Sequence, residues 1–246
     1  MKKTMHLAAQ YLATAAISFI EKKADDSHTN LGWVNHNLET HTFPNGDKLG
    51  LNYENFALEW ITQNGNKEHF LLDGTTHKDI VDWIYLTSLN NGIVKPYNYN
   101  LHYEIPYNTI EDTYQFQLTQ QNELNQLIKN RDLAQSVILN VLQSNSYKSP
   151  VRIWPHHFDT GAFFNIDDNL SIGIGMAIPD TLVNEFYFYI SGYNGHNPID
   201  IINPTSHKNY YSNGWKGFAL SISNLKEQTA IDFCQTAINT YINSEL

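Results

Sequence analysis

Apolar and polar positions recur with two different periods along this chain, and the changes of period divide it into helices and strands. Met5, Ala8, Leu12, Ala15 and Phe19 fall at three- and four-residue spacing, which predicts an amphipathic helix at the start, its apolar run interrupted by Gln10, Thr14 and Ser18. Residues 31–38 read as a strand, and 48–61 follow with Leu49, Leu51 and Tyr53, then Phe56, Leu58 and Trp60. Another strand is predicted at 68–72. Asn45-Gly46 and Asn64-Gly65 punctuate these runs as hairpin turns, so the region reads as an antiparallel meander. Thr76-His77-Lys78-Asp79 has the form of a capping box that opens a helix through Ile80, Trp83 and Ile84, with Asn91-Gly92 to close it. A short strand is expected at 101–105, ended by Pro106. Residues 111–123 are rich in Gln and Asn and poorly periodic, after which Leu124, Leu127, Arg131, Ala134, Ile138 and Val141 restore helical spacing as far as Ser144.

The second half repeats this grammar. Residues 160–166 and 170–178 read as a hairpin around Asp167-Asp168-Asn169. In 185–190, Glu185, Tyr187 and Tyr189 share one face of a strand, and Phe186, Phe188 and Ile190 share the other. Residues 192–214 look loop-like, a length typical of a lid or a disordered excursion. A strand at 215–222 and a helix capped by Asn224-Leu225-Lys226-Glu227, with Ile231, Cys234, Ile238 and Tyr241 on one stripe, complete the chain. Val81-Asp82-Trp83 and Ile231-Asp232-Phe233 occupy comparable places in the two halves. The expectation is one α+β domain over 1–246, mainly antiparallel sheet flanked by helices, with pseudo-repeated halves at 1–110 and 111–246.

Composition narrows the partners. With 41% hydrophobic residues over 246 positions the chain can bury a large core, and 15 basic against 25 acidic residues give a net charge of −10 that repels nucleic acid and anionic membrane alike. Neither partner is expected. Lys2 and Lys3 ahead of an apolar run resemble a signal peptide, but the helical spacing argues for a retained first helix. The single cysteine, Cys234, excludes an internal disulfide and a cysteine-rich zinc site, and a soluble cytoplasmic protein is expected.

Candidate chemistry gathers at 148–159, Lys-Ser-Pro-Val-Arg-Ile-Trp-Pro-His-His-Phe-Asp, where Val151 and Ile153 alternate with Arg152 and Trp154 between two prolines. If the chain stays extended past Pro155, His157 and Asp159 share one face and His156 and Phe158 the other. A histidine beside an aspartate suits a proton-transfer pair, a buried hydrogen bond or a metal site. His157 and Asp159 are the metal-ligand candidates, with His102, Glu104, Glu185 or His28 as contributors from elsewhere, although a divalent metal is not the favoured reading. Asp25-Asp26-Ser27-His28-Thr29-Asn30 is better explained as turn chemistry. Asp167 does not open an EF-hand loop, because Leu170 and Met176 stand where such a loop needs Gly and Glu, and Gly173-Ile174-Gly175 lacks the third glycine of a dinucleotide loop. No Gly-x-Ser-x-Gly elbow, P-loop or His-Glu-x-x-His is present.

The stretch 148–159, followed by the aromatic strand at 186–190 and matched by the run Asp25-Asp26-Ser27-His28-Thr29-Asn30-Leu31-Gly32-Trp33, resembles a family of bacterial proteins of unknown function with a Ser-Pro-Val, aromatic and Phe-Asp signature. The resemblance implies no activity, cofactor or catalytic residue. It implies that the two islands form one surface. Two readings follow. In one, Trp154, His156, His157, Asp159, Tyr187 and Tyr189 line a small-molecule or metal pocket, hydrolase-like chemistry included. In the other, the protein is a non-catalytic structural or interaction protein and these side chains are buried packing and hydrogen-bonding groups.

Overall fold

A computed structural model describes residues 1–201 and 209–244. It is an α+β protein with four α-helices and two antiparallel sheets among the described residues. The chain divides into two compact units, the first comprising Met1–Asn130 with Ile153–His156, the second Arg131–Arg152 with His157–Leu246.

In the first unit, helix α1 (Lys2–Phe19) is not amphipathic as its spacing suggested, because every residue from Met5 to Ala16 is buried. Five alanines keep it narrow enough for neighbours to close around it. His6, Gln10 and Thr14 are buried with it, and Ser18 is half-buried. His6, Gln10, Thr14 and Ser18 are four apart, so they form one stripe along the helix. Strands β1 (Gly32–Val34), β2 (Asn37–Glu39), β3 (Lys48–Asn52), β4 (Ala57–Ile61) and β5 (Lys67–Leu71) form a meander in sequential order. The run at 31–38 is thus a hairpin rather than one strand. Asn35 and His36 both take positive φ, 48° and 60°, at a turn where the usual glycine signal is missing. The run at 48–61 is likewise broken, with Phe56 at φ 48° and the Asn55 amide bound to the Asn52 side chain. Gly46 (φ 90°) and Gly65 (φ 82°) make the two turns their Asn-Gly pairs predicted.

Leu38, Leu51 and Leu58 stand opposite one another on one face of this sheet. On the other face Glu59, 1% exposed, accepts hydrogen bonds from Asn37 (2.7 Å), Asn52 (3.0 Å) and Lys67 (2.7 Å) and stands 3.3 Å from the His69 imidazole. Burial pushes this carboxyl up, but Lys67, Asn37 and His69 more than offset it, so its pKa lies below the ordinary value. A carboxylate with a depressed folded pKa stabilises the fold above its unfolded pKa, about 4.3 for Glu, and that contribution is lost as pH falls through the folded value. Glu59→Gln is therefore expected to flatten the acid limb of the stability curve below about pH 4.5, as measured by urea unfolding across pH. An unchanged acid limb would contradict this assignment.

Helix α2 (His77–Asn90) begins with the full capping box, Thr76 and Asp79 bonding reciprocally, and ends at Asn91-Gly92 as predicted. Residues 101–105 do not form a strand. Leu101, Tyr103 and Ile105 alternate in burial, but the segment is anchored through side chains rather than through a strand ladder.

The second unit layers two helices on one face of a sheet. Strand β6 (Arg152–Trp154) falls where the chain passes from one unit to the other, and in the second unit strands β7 (Asp159–Asn165), β8 (Ser171–Ala177), β9 (Tyr187–Asn194), β11 (Tyr210–Tyr211) and β12 (Gly217–Ser221) run in the order β11-β12-β9-β8-β7, with β10 (Asn197–Pro198) paired to β9. The span expected to be a loop holds only the end of β9 and the two-residue strands β10 and β11, and is otherwise irregular among the described residues. Residues 202–208 of that span lie outside the described residues. The later turns of α3 (Gln121–Ser144) and helix α4 (Glu227–Asn243) bury Val137, Ile138, Val141, Cys234 and Ile238 with Ile172, Ile174, Phe188 and Ile190. Each such side chain contributes about 1.5–3 kcal/mol. The N-cap of α4 is Lys226, which makes no side-chain cap bond, so the cap expected from Asn224 is not formed. On the opposite face Gly161, Gly175, Tyr189 and Ala219 lie in one cross-strand row. The Tyr189 ring covers the two glycines, and a Cβ added to Gly175 would stand 2.5 Å from it.

Candidate functional site

Within the first unit, Leu31 and Ile153 exchange both backbone hydrogen bonds at 2.9 Å. The expected extension past Pro155 does not occur. Residues 155–158 turn, with Phe158 at φ 60°, so the predicted alternation of faces fails. The expected site is divided between the units. Trp154 and His156 belong to the first, and His157, Asp159, Tyr187 and Tyr189 to the second.

In the second unit Asp159 is buried and accepts the Tyr189 hydroxyl at 2.5 Å on Oδ2, while its Oδ1 is buried without a hydrogen-bond partner. Arg131, 5% exposed on α3, donates to Thr160 Oγ1 (2.6 Å) and to the Phe158 carbonyl (2.8 Å), and its guanidinium lies 4.4 Å from the Phe158 ring centre. Burial pushes the Asp159 carboxyl up, against the Tyr189 hydroxyl and the charges of His157 and Arg131, which pull it down. The Tyr189 hydroxyl is held far above its ordinary pKa by burial and by Asp159, so it stays a donor. Tyr187 is tied to Asp180 at 2.8 Å, and His157 is exposed. Among the described residues no group of three or more His, Cys, Asp and Glu side chains is placed to hold a metal. Of the contributors considered, His102 stands 3.2 Å from Asp26 Oδ2, and Glu185 accepts from Ser221.

The first unit contains a cleft of ≈ 740 Å³, within the usual range for small-molecule sites. Leu7 of α1, His77 of α2 and the segment 99–110 line it, with Tyr99, Tyr103, Glu104 and Tyr107 contributing side chains. The buried stripe of α1 fixes this wall. Tyr103 donates to Gln10 Oε1 at 2.8 Å, the Tyr107 hydroxyl meets His6 Nδ1 at 3.2 Å, and Tyr97 meets Thr14 at 2.7 Å. His6 Nε2 and Gln10 Nε2 both reach the Pro155 carbonyl, at 2.8 and 2.9 Å, and the His156 ring lies 5.3 Å from that of Tyr103. The Trp-Pro-His stretch therefore supports the cleft wall from behind.

At the cleft, the amide of His77 donates to the Tyr114 carbonyl (2.8 Å) and its Nδ1 meets the Tyr11 hydroxyl (2.7 Å). Tyr99 packs edge-on against the His77 ring, 4.6 Å between centres. Burial lowers the His77 pKa, with Asp112 pulling the other way, so the imidazole is neutral at pH 7. Burial likewise raises the Tyr99 and Tyr103 pKa values, keeping both phenols protonated. A histidine with a depressed folded pKa binds its proton more readily when unfolded, so stability is lost as pH falls below about 6.5. His28, also lowered by burial, acts in the same direction. Urea unfolding at pH 7.5 and 5.5 is expected to show the loss, with His77→Gln reducing it. Equal pH dependence in the variant would contradict a buried neutral His77.

Sequence reasoning missed this cleft, although it noted Gln10, Thr14 and Ser18 as interruptions and His77 within the capping box. The available signal was the shared spacing of four, in His6, Gln10 and Thr14 and in Tyr99, Tyr103 and Tyr107. Comparison with known protein families, curated proteins and solved structures found no match.

Proposed function

We propose that this protein binds a small organic molecule in the cleft of its first unit, with His77 as a neutral hydrogen-bonding group and Tyr99, Tyr103 and Tyr107 as aromatic walls. The observation that carries this reading is the convergence of a neutral imidazole and three half-buried tyrosines on one concave space of drug-ligand size. The α1 stripe supports it, because a wall held from inside by buried hydrogen bonds is preorganised and loses little entropy when a ligand arrives. Pro155 and His156 then serve the site as backing. A cytoplasmic setting is part of this reading, and a single cysteine, which can form no internal disulfide, agrees with it. A fragment screen by thermal shift tests the reading. Hits should stabilise the wild type and lose their effect in Leu101→Trp, which fills the cleft from a half-buried position on the irregular segment. Hits unaffected by that substitution would refute it.

For Asp159 we propose the structural role. Its burial and its bond to Tyr189 support this, together with the adjoining Arg131 bonds. Asp159→Ala is expected to lower stability by about 2–3 kcal/mol by leaving Tyr189 unpaired, while His157→Ala, at an exposed position from which it acts on Asp159 through charge, lowers it by less. The reverse ranking in urea unfolding would favour a functional Asp159.

A further inference from the structure

We infer that the ligand of the first-unit cleft is an organic ammonium compound, held over tyrosine rings and beside Glu104, an inference that rests on the cleft being the ligand site. Among the described residues neither lysine nor arginine lines the cleft, and Glu104 is the one carboxylate that does. Tyr103 and Tyr107 direct their hydroxyls to Gln10 and His6, so they present ring rather than hydroxyl to the cleft. Ring faces carry the negative part of the aromatic quadrupole and attract cations. The wall already does so with a cation of its own, since the Lys3 ammonium stands 5.4 Å from the centre of the Tyr107 ring.

Lys3 places a like charge at the Tyr107 ring and so leaves Tyr99 and Tyr103 as the rings for a ligand; two further features could oppose a cation, and both are neutralised. The positive end of α2 lies beside His77, but Asp79 occupies its first turn, accepting from the Thr76 amide and hydroxyl at 3.1 and 2.6 Å. His77 could repel a cation if charged, but burial keeps it neutral, and Asp112 is the nearby acid. Of the remaining charges, Lys78 is paired with Asp82 and His102 with Asp26. The net charge of −10 favours the approach of cations over anions.

The test compares choline with 3,3-dimethyl-1-butanol, its uncharged carbon isostere, on the full chain with tyrosine rings and His77 Cε1 observed by NMR. Choline should bind saturably, shift the His77 and Tyr99 signals, and exceed the isostere by about five- to thirtyfold in affinity. Glu104→Gln, at an exposed position that leaves folding intact, should weaken choline about threefold and leave the isostere unchanged. Equal binding of the two probes would overturn the ammonium inference and leave the cleft reading standing. Choline binding that shifts no cleft signal, or none at all, would also overturn it, while the fragment screen against Leu101→Trp decides the cleft reading separately.

Discussion

Arg131→Leu is expected to destabilise the second unit by about 3–5 kcal/mol, because two charge-assisted hydrogen bonds are lost at about 1.5–3 kcal/mol each. The guanidinium is buried and donates to Thr160 Oγ1 and to the carbonyl of Phe158, the residue that holds the positive-φ turn before β7. Leucine can replace its packing against the Phe158 ring but not those bonds. It would also leave Asp159 with less positive charge to oppose its burial, raising that carboxyl further. Urea unfolding of the wild type, Arg131→Leu, Asp159→Asn and the double variant checks this. The double variant should be less destabilised than the sum of the singles, since the two groups share one electrostatic neighbourhood. A loss below about 1 kcal/mol for Arg131→Leu would mean that the turn holds without it.

Gln10→Leu should be comparably costly, at about 2–4 kcal/mol, and should reach function as well as stability. Gln10 joins three chain segments: it accepts from Tyr103, and it donates to the His6 carbonyl within α1 and to the Pro155 carbonyl. Leucine fills the same volume, so the loss is almost wholly that of polar pairing. The Tyr103 hydroxyl is then left without its acceptor, and His6 alone holds Pro155. Because Tyr103 lines the cleft, ligands found in the fragment screen should bind Gln10→Leu at least about fivefold more weakly even at temperatures where it is fully folded. Unfolding midpoints and ligand titrations on the same sample separate the two effects. Full stability with weakened binding would mean that the bond positions the wall without supporting the fold.

Much of the architecture was legible because it depends on local periodicity and turn chemistry. The capping box at Thr76, the Asn-Gly turns, the long helix through Arg131 and the opposed phenylalanine and tyrosine faces of β9 all follow from neighbours in sequence. Two of the failures share a cause in long-range pairing. The α1 stripe looked like ordinary interruptions of an apolar face because its partners, Tyr97, Tyr103 and Tyr107, lie some eighty to a hundred residues away. The segment around Tyr103 looked like a strand because burial alternates there, yet its bonds go to a helix. At Phe158 a positive φ undid the alternation that had placed His157 and Asp159 together, and nothing in a phenylalanine announces that conformation. The site candidates at 154–159 were drawn by residue type, while the cleft is defined by concavity, which a sequence does not display.

The central claim is that the first-unit cleft, and not the 157–159 and 187–189 cluster of the second unit, is where this protein meets a ligand. Fragment soaking into crystals of the full chain tests it most directly. The account predicts bound fragments against His77, Tyr99 and Tyr103, with the Asp159–Tyr189 pair undisturbed. Fragments seated on Asp159 or Tyr189, with the cleft empty across the same library, would contradict it.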